Sequence, residues 1–329
     1  MSRARPTPAT PSPAAPAALV GDELQGVERR LSELLRSREE RLTEIARYLI
    51  GAGGKRVRPA VTLLVFRACG GTNVRDAIDV AVALELIHSA SLLHDDIIDG
   101  NQVRRGRASA RRMFGVAETL VTGDFLFSRA FQICGRFDER LIDWAAEACV
   151  ALTEGEIMQG RFRRNPRVTY DAYLDIIARK TASLFEVGAR TAAYLAESDD
   201  TVVDALALCG RHVGLTFQMI DDLLDVTASE ATLGKPVGLD VRDGNPSLPL
   251  VLAVAEDDEV ARLFAKPELS EAEVGAMLAR LRRPDIVERG HQLALEHAGI
   301  ARDALGVLAE SPFRQHLESL IDQLVERAS

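Results

Sequence analysis

Cysteine is scarce in this chain, with four residues in 329. Cys69, Cys134, Cys149 and Cys209 lie far apart among apolar neighbours, which excludes a disulfide framework and offers none of the paired spacings of a zinc site. They read as reduced core residues of a cytoplasmic protein. Net positive charge is also missing: 40 Lys and Arg against 49 Asp and Glu leave −9, which argues against a nucleic-acid partner. No apolar stretch of membrane-spanning length is free of charges, so the chain is not expected to be integral to a membrane. The opening Met1–Ala18 is rich in Pro and Ala but has no continuous apolar run of the kind a secretory signal needs. A disordered extension over 1–20 is expected ahead of one domain, 21–329. Strand signals are missing as well, and apolar residues recur at helical spacing, as in Leu24, Val27, Leu31, Leu34 and Leu35. The pattern predicts an all-α fold, a many-helix bundle around a deep central cavity.

What stands out is Ser89–Gly106, SASLLHDDIIDGNQVRRG. A greasy helix over Ala81–Ile98 ends in Asp95, Asp96 and Asp99. Residues four apart share a helix face, so Asp95 and Asp99 point the same way, with Asp96 beside them. The pattern returns at Phe217–Val226, FQMIDDLLDV, with Asp221, Asp222 and Asp225. A lone acidic triplet is as well explained by a solvated helix end. Two triplets, each embedded in an apolar helix, need cations, because charges are rarely buried unless paired or metal-bound. Carboxylate oxygens suit Mg2+, which prefers a few carboxylates plus waters and substrate phosphates. Basic residues cluster locally at Lys55–Arg58 and Arg104–Arg112, giving an acidic protein a positive pocket suited to a small anionic substrate.

The two DDxxD motifs, the first followed by RRG, resemble the trans-isoprenyl diphosphate synthases (polyprenyl synthetases), and more closely their long-chain members. GGKRVRP at Gly53–Pro59, KTASLF at Lys180–Phe185 and GKPVGLD at Gly234–Asp240 match in the same order. The resemblance covers the chain from about Leu31 to its end. It implies a Mg2+-dependent prenyltransferase, with three ions held by the six aspartates. Lys55, Arg58, His88 and Arg105 would hold isopentenyl diphosphate. Arg104, Lys180, Thr181 and Lys235 would serve the allylic diphosphate (farnesyl or geranylgeranyl). Gln218 stands one turn before Asp222, and Asp240 would meet metal-bound water or Lys235. A homodimer is the family expectation. One position departs from the pattern: Asn245 stands where family members often carry Lys.

Product length should depend on how far the cavity runs along the helix before Asp95. Ile87, Ala90 and Ser91 are small or unhindering where short-chain members carry bulky aromatics. The expected product is a long all-trans chain, hexaprenyl to decaprenyl diphosphate, for a quinone side chain, with geranylgeranyl diphosphate as the alternative. A class I terpene cyclase would share one DDxxD but not the second triplet, nor a need for Lys55, Arg58 and Arg105. A phosphohydrolase would explain His94–Asp95 but not the second cluster. A non-catalytic subunit would be expected to lose these aspartates.

Overall fold

The computed structural model describes residues 18–51, 53–104, 106–228 and 237–327. Arg105 and Lys235 therefore lie outside the described residues. After a short turn of 3-10 helix, the first half runs through α1 (Gly21–Leu34), α2 (Glu40–Ile50), α3 (Val57–Ala68), α4 (Val74–Ile98), α5 (Ala110–Phe114), α6 (Val116–Cys134) and α7 (Glu139–Phe162). Then come α8 (Tyr170–Ile177), a π turn over Ala178–Ala182, α9 (Ser183–Leu195) and the long α10 (Asp200–Thr227). The rest is α11 (Leu239–Asp243), α12 (Leu248–Val254), α13 (Asp258–Phe264), α14 (Glu271–Leu281), α15 (Pro284–Ala304) and α16 (Pro312–Glu326).

Local chemistry sets these limits. The side chains of Asp138 and Asp199 cap α7 and α10 by accepting from the amides of Leu141 and Val202, satisfying donors that a helix start leaves over. Pro284 and Pro312 open their helices, where a missing N–H costs nothing. Helix α2 stops at Gly51.

One detail differs from the sequence reading. Val103–Arg104 and Arg107–Ala108 form a two-stranded antiparallel hairpin, turned at Gly106 with φ +72°; each strand is too short to carry an alternating pattern. The segment before Leu248 contains the short α11, bounded by left-handed Gly238 and Gly244. Helix α6 begins at Val116, where Gly115 at φ +87° makes the break.

Helix α4 is the spine. It is long and apolar enough to cross a membrane by length and composition, yet Leu84, Leu86, Ile87 and Leu93 are all buried as it packs against α3, α6 and α9. Helix α10 joins two apolar cores: Leu206, Cys209 and Val213 belong to the one around α4. Leu215, Met219 and Leu223 belong to the other, with Tyr173 and residues of α12–α14. The facing ends of α4 and α10 carry the acidic clusters.

Candidate active site

Between α4, α7, the π turn and α10 lies a cavity of about 850 Å³. Asp95, His88 and Ser91 reach it from α4, Asp221 and Gln218 from α10, and Lys180 and Thr181 from the π turn. The GGKRVRP segment contributes Lys55 and Arg58, and the β-hairpin contributes Arg104. Most residues singled out in the sequence thus share one space.

The turn before α3 is built to hold cations there. Gly53 takes φ +82° and Arg56 φ +46°, conformations that side chains resist. Arg56 is anchored to Glu28 and Glu85, each at 2.6 Å, which leaves Lys55 and Arg58 turned to the cavity. Burial pulls the Arg58 guanidinium down to about 10, and it stacks over the Phe185 ring at 4.8 Å. Burial lowers Lys55 too, helped by Arg327, a wall residue from the end of α16. Desolvated cations of this kind favour an anion that restores their partners.

The π turn moves Lys180 and Thr181 out of the ordinary helical register. An extra residue in a turn disrupts the regular carbonyl ladder and is a frequent mark of functional sites; here it falls at Ala178–Ala182. Lys180 ion-pairs with Glu156 and lies 3.8 Å from Asp95. Burial opposes its charge, but Asp95 and Glu156 outweigh that and raise its pKa. Thr181 donates to Gln218 Oε1 at 2.8 Å, and Gln218 Nε2 donates to Asp222 Oδ1 at 2.8 Å.

The six aspartates do not act alike. Burial pushes the Asp95 carboxyl up to about 7, Lys180 pulling it back and Glu156 and Asp99 adding to the rise. Asp99 caps α4 and is bound by the Arg163 guanidinium. Asp221 is exposed to the cavity. Asp225 accepts the Asp240 amide at 3.3 Å, so Asp240 meets the second cluster directly. Of the six, Asp95 and Asp221 border the cavity, and Asp225 is buried as deeply as Asp222. Asp96 is fully buried and takes Arg104 Nε at 2.7 Å, outside the cavity wall. Asp222 is buried, accepting from Tyr173 at 2.7 Å and from the Leu248 amide at 2.9 Å as well as from Gln218. The reason is helical geometry: a neighbour in sequence is turned by about 100°. If Asp95 and Asp221 face the cleft, Asp96 and Asp222 face into the packing.

Among the described residues no three of His, Cys, Asp and Glu converge on one point. The carboxylates instead line two helix ends, where burial, with Glu156 and Asp99 adding to it, raises Asp95. That donor set fits hard divalent cations completing their shells with water and phosphate oxygens, the habit of Mg2+.

Deeper along α4, beyond Ser91, lies a small apolar cavity of about 30 Å³, walled by Val80, Ala83, Leu84 and Ile87 of α4 and by Phe137, Leu141 and Val187. Ser91 thus borders the large cavity and Ile87 the small one. Ala90 borders neither: it is fully buried, on the same face as Leu86 and Leu93. Sequence reasoning missed Glu156 as the partner of Lys180, and also Arg163 and Arg327. Glu156 lies on a helix with several polar residues, and the 3.6 period alone cannot say which of them meets Lys180. Arg163 and Arg327 belong to no recognised motif.

The model of the polyprenyl synthetase family matches residues 39–281. Geranylgeranyl diphosphate synthase of Methanosarcina mazei is 34% identical over 308 residues, 92% of this chain and 94% of that protein. Octaprenyl diphosphate synthase of Haemophilus influenzae is 34% identical, covering 94% of this chain and 95% of its own. The crystal structure of a polyprenyl synthase from Caulobacter crescentus, complexed with calcium and isoprenyl diphosphate, superposes with a TM-score of 0.91 at 34% identity, over 96% of this chain and 98% of that one.

Proposed function

The chain belongs to the polyprenyl synthetase family and is a trans-prenyl diphosphate synthase; from that premise we propose that it joins an allylic diphosphate to isopentenyl diphosphate, head to tail, until the product is hexaprenyl to decaprenyl diphosphate. A quinone side chain is the proposed destination. One observation carries the reading: a cavity with cations and carboxylates at its walls runs along α4 toward an apolar pocket.

Asp95, Asp99, Asp221 and Asp225 would hold the Mg2+ ions, three by resemblance, with Asp96 and Asp222 bracing their helices from behind. Bound there, Mg2+ acts as a Lewis acid on the diphosphate. Lys180 and Arg104, with Lys235, meet the charge that builds up as the allylic C1–O bond breaks and its electron pair passes to diphosphate. Thr181, fixed by Gln218, presents its oxygen to the allylic cation. Lys55, Arg58, His88 and Arg105 hold isopentenyl diphosphate, whose double bond attacks C1 and forms the new C–C bond. The C2 proton of that unit then passes to the released diphosphate and a double bond is restored. Leu92, Phe127 and Phe217 in the wall keep water from the cation.

Geranylgeranyl diphosphate is the second reading, favoured by the small size of the apolar pocket, about 30 Å³. The test is incubation with Mg2+, labelled isopentenyl diphosphate and farnesyl diphosphate, with products sized after dephosphorylation. A ladder reaching hexaprenyl or beyond supports the long-chain reading, and a stop at geranylgeranyl supports the second. No elongation would overturn both.

A homodimer is part of the proposal. Leu120, Val121 and Phe131 on α6 and Val150 and Ile157 on α7 are exposed, Ile157 by 66%. Such an apolar stripe suits a second copy. The cysteines are free thiols, which fits the reducing cytoplasm.

A further inference from the structure

Consecutive arginines just after α7 tie it to the segment Leu239–Asn245. Arg164, at φ +54°, donates its amide to the Gly244 carbonyl at 2.9 Å and its guanidinium to the carbonyls of Arg242 and Lys266. Those bonds are structural. Arg163 is different, because one of its partners belongs to the first acidic cluster. Its Nε donates to Asn245 Oδ1 at 3.0 Å, and its Nη2 end pairs with Asp99. Asp243 lies nearby: burial raises its carboxyl, with Asp99 and Asp225 adding to the rise and Arg163 and Arg164 opposing it. Asn245 is nearly buried and neutral, where the resemblance expects a lysine.

We propose that Arg163 is a diphosphate-binding residue of this cleft, supplying from just after α7 the cation that position 245 lacks. The geometry gives it two states. With Asp99 unclaimed by a cation, Arg163 neutralises that carboxylate. Once cations take up Asp99, the Nη edge is released and turns to diphosphate oxygens, while Nε stays on Asn245 as a pivot. A guanidinium has five donors in a planar fork, so holding Asn245 by one leaves a pair for a phosphate. Asn245 is thus a positioning residue: it fixes the Arg163 side chain and does not touch the substrate.

The inference rests on the metal–diphosphate reading of the cleft, and calorimetry with inorganic pyrophosphate, with and without Mg2+, separates the two. If the full-length wild-type protein does not bind pyrophosphate in the presence of Mg2+, the cleft reading itself is overturned. If it binds, Arg163→Gln is expected to weaken pyrophosphate about tenfold or more, as a lost charge-assisted pair should. The affinity for Mg2+ alone should hold or rise, because Asp99 is freed. The KM for the allylic diphosphate should rise more than kcat falls, and Arg163→Lys should recover part of the loss. Asn245→Lys added to Arg163→Gln should also restore binding by returning the cation. Unchanged pyrophosphate affinity in Arg163→Gln overturns the proposal. A parallel loss of Mg2+ and pyrophosphate binding with a fall in Tm also overturns it, since that is the signature of a clamp that only holds the fold.

Discussion

Gly155 in α7 and Lys180 in the π turn are in backbone contact: a Cβ at position 155 would stand 2.8 Å from the Lys180 nitrogen and 3.2 Å from its Cα. Neither atom can swing away as a side-chain tip could. The absence of a side chain at 155 is therefore what lets α7 bring Glu156 against Lys180. Gly155→Ala should push the turn outward and misplace Lys180 and Thr181. Overpacking of this kind costs about 1–3 kcal/mol of stability, and a displacement near 1 Å at a reacting group costs about a hundredfold in rate. Thermal melts and kcat on the same preparation check this. An alanine variant with wild-type kcat would remove Gly155 from the positioning of the site.

Product length gives a second prediction, and it moves the steric control from Ala90 to its neighbour. Ser91 borders the large cavity and Ile87 the apolar one. Ser91→Phe or Ile87→Phe should shorten the longest product, with the first acting more strongly because it stands nearer Asp95. Leu84 and Phe137 line the deeper pocket; trimming either to Ala should lengthen the product, at a stability cost of about 2–5 kcal/mol for the buried Leu84 and less for the half-buried Phe137. Chromatography of dephosphorylated products decides. If Ser91→Phe leaves the distribution unchanged, the chain does not grow along this face of α4.

Much of this was legible in the sequence, for a definite reason. The helices repeat at 3.6 residues and end at Gly, Pro or a capping Asp, so the all-α class and most boundaries follow from local chemistry. Lys55, His88, Asp95, Lys180 and Asp221 share one cavity because residue type and motif both marked them. Periodicity says which residues share a helix face but not which face meets the cavity. That choice is made by the packing of α4 against α3, α6 and α9, and it separates Asp95 from Asp96 and Ser91 from Ala90. Arg163 and Arg327 reach the site or its edge from stretches with no pattern of their own, and only the fold brings them there.

The unlike environments of Asp95 and Asp96 predict unlike variants. Asp95 borders the cavity, so Asp95→Asn should weaken Mg2+-dependent pyrophosphate binding and cut kcat by about a hundredfold or more. Asp96 is fully buried against Arg104. Asp96→Ala leaves that guanidinium without its carboxylate, and breaking such a pair costs about 3–5 kcal/mol. Its main effect should be a fall in Tm, with Mg2+ affinity less affected than in Asp95→Asn. If folded Asp96→Ala loses Mg2+ affinity as fully as Asp95→Asn, the two aspartates are equivalent ligands after all.

Far from the cavity, His212 of α10 and His297 of α15 share a hydrogen bond between their Nδ1 atoms at 2.8 Å. Burial lowers the His212 imidazole to about 4, with His297 and Arg211 adding to the effect. Burial also lowers His297, against the pull of Glu296 and with Arg211 on the same side. The sign follows from linkage. A histidine whose folded pKa lies below its unfolded value near 6.5 binds its proton more readily when unfolded. The pair's contribution is therefore present above about pH 6.5 and is lost as the pH falls toward 4. Both rings are partly exposed, and after discounting for solvent the loss is on the order of 1 kcal/mol. Acid melts between pH 7 and pH 5 should show a steeper fall in Tm for the wild type than for His297→Asn, whose side chain can still accept from His212 Nδ1 without taking up a proton. Parallel slopes for the two proteins would mean that this seam between α10 and α15 does not sense pH.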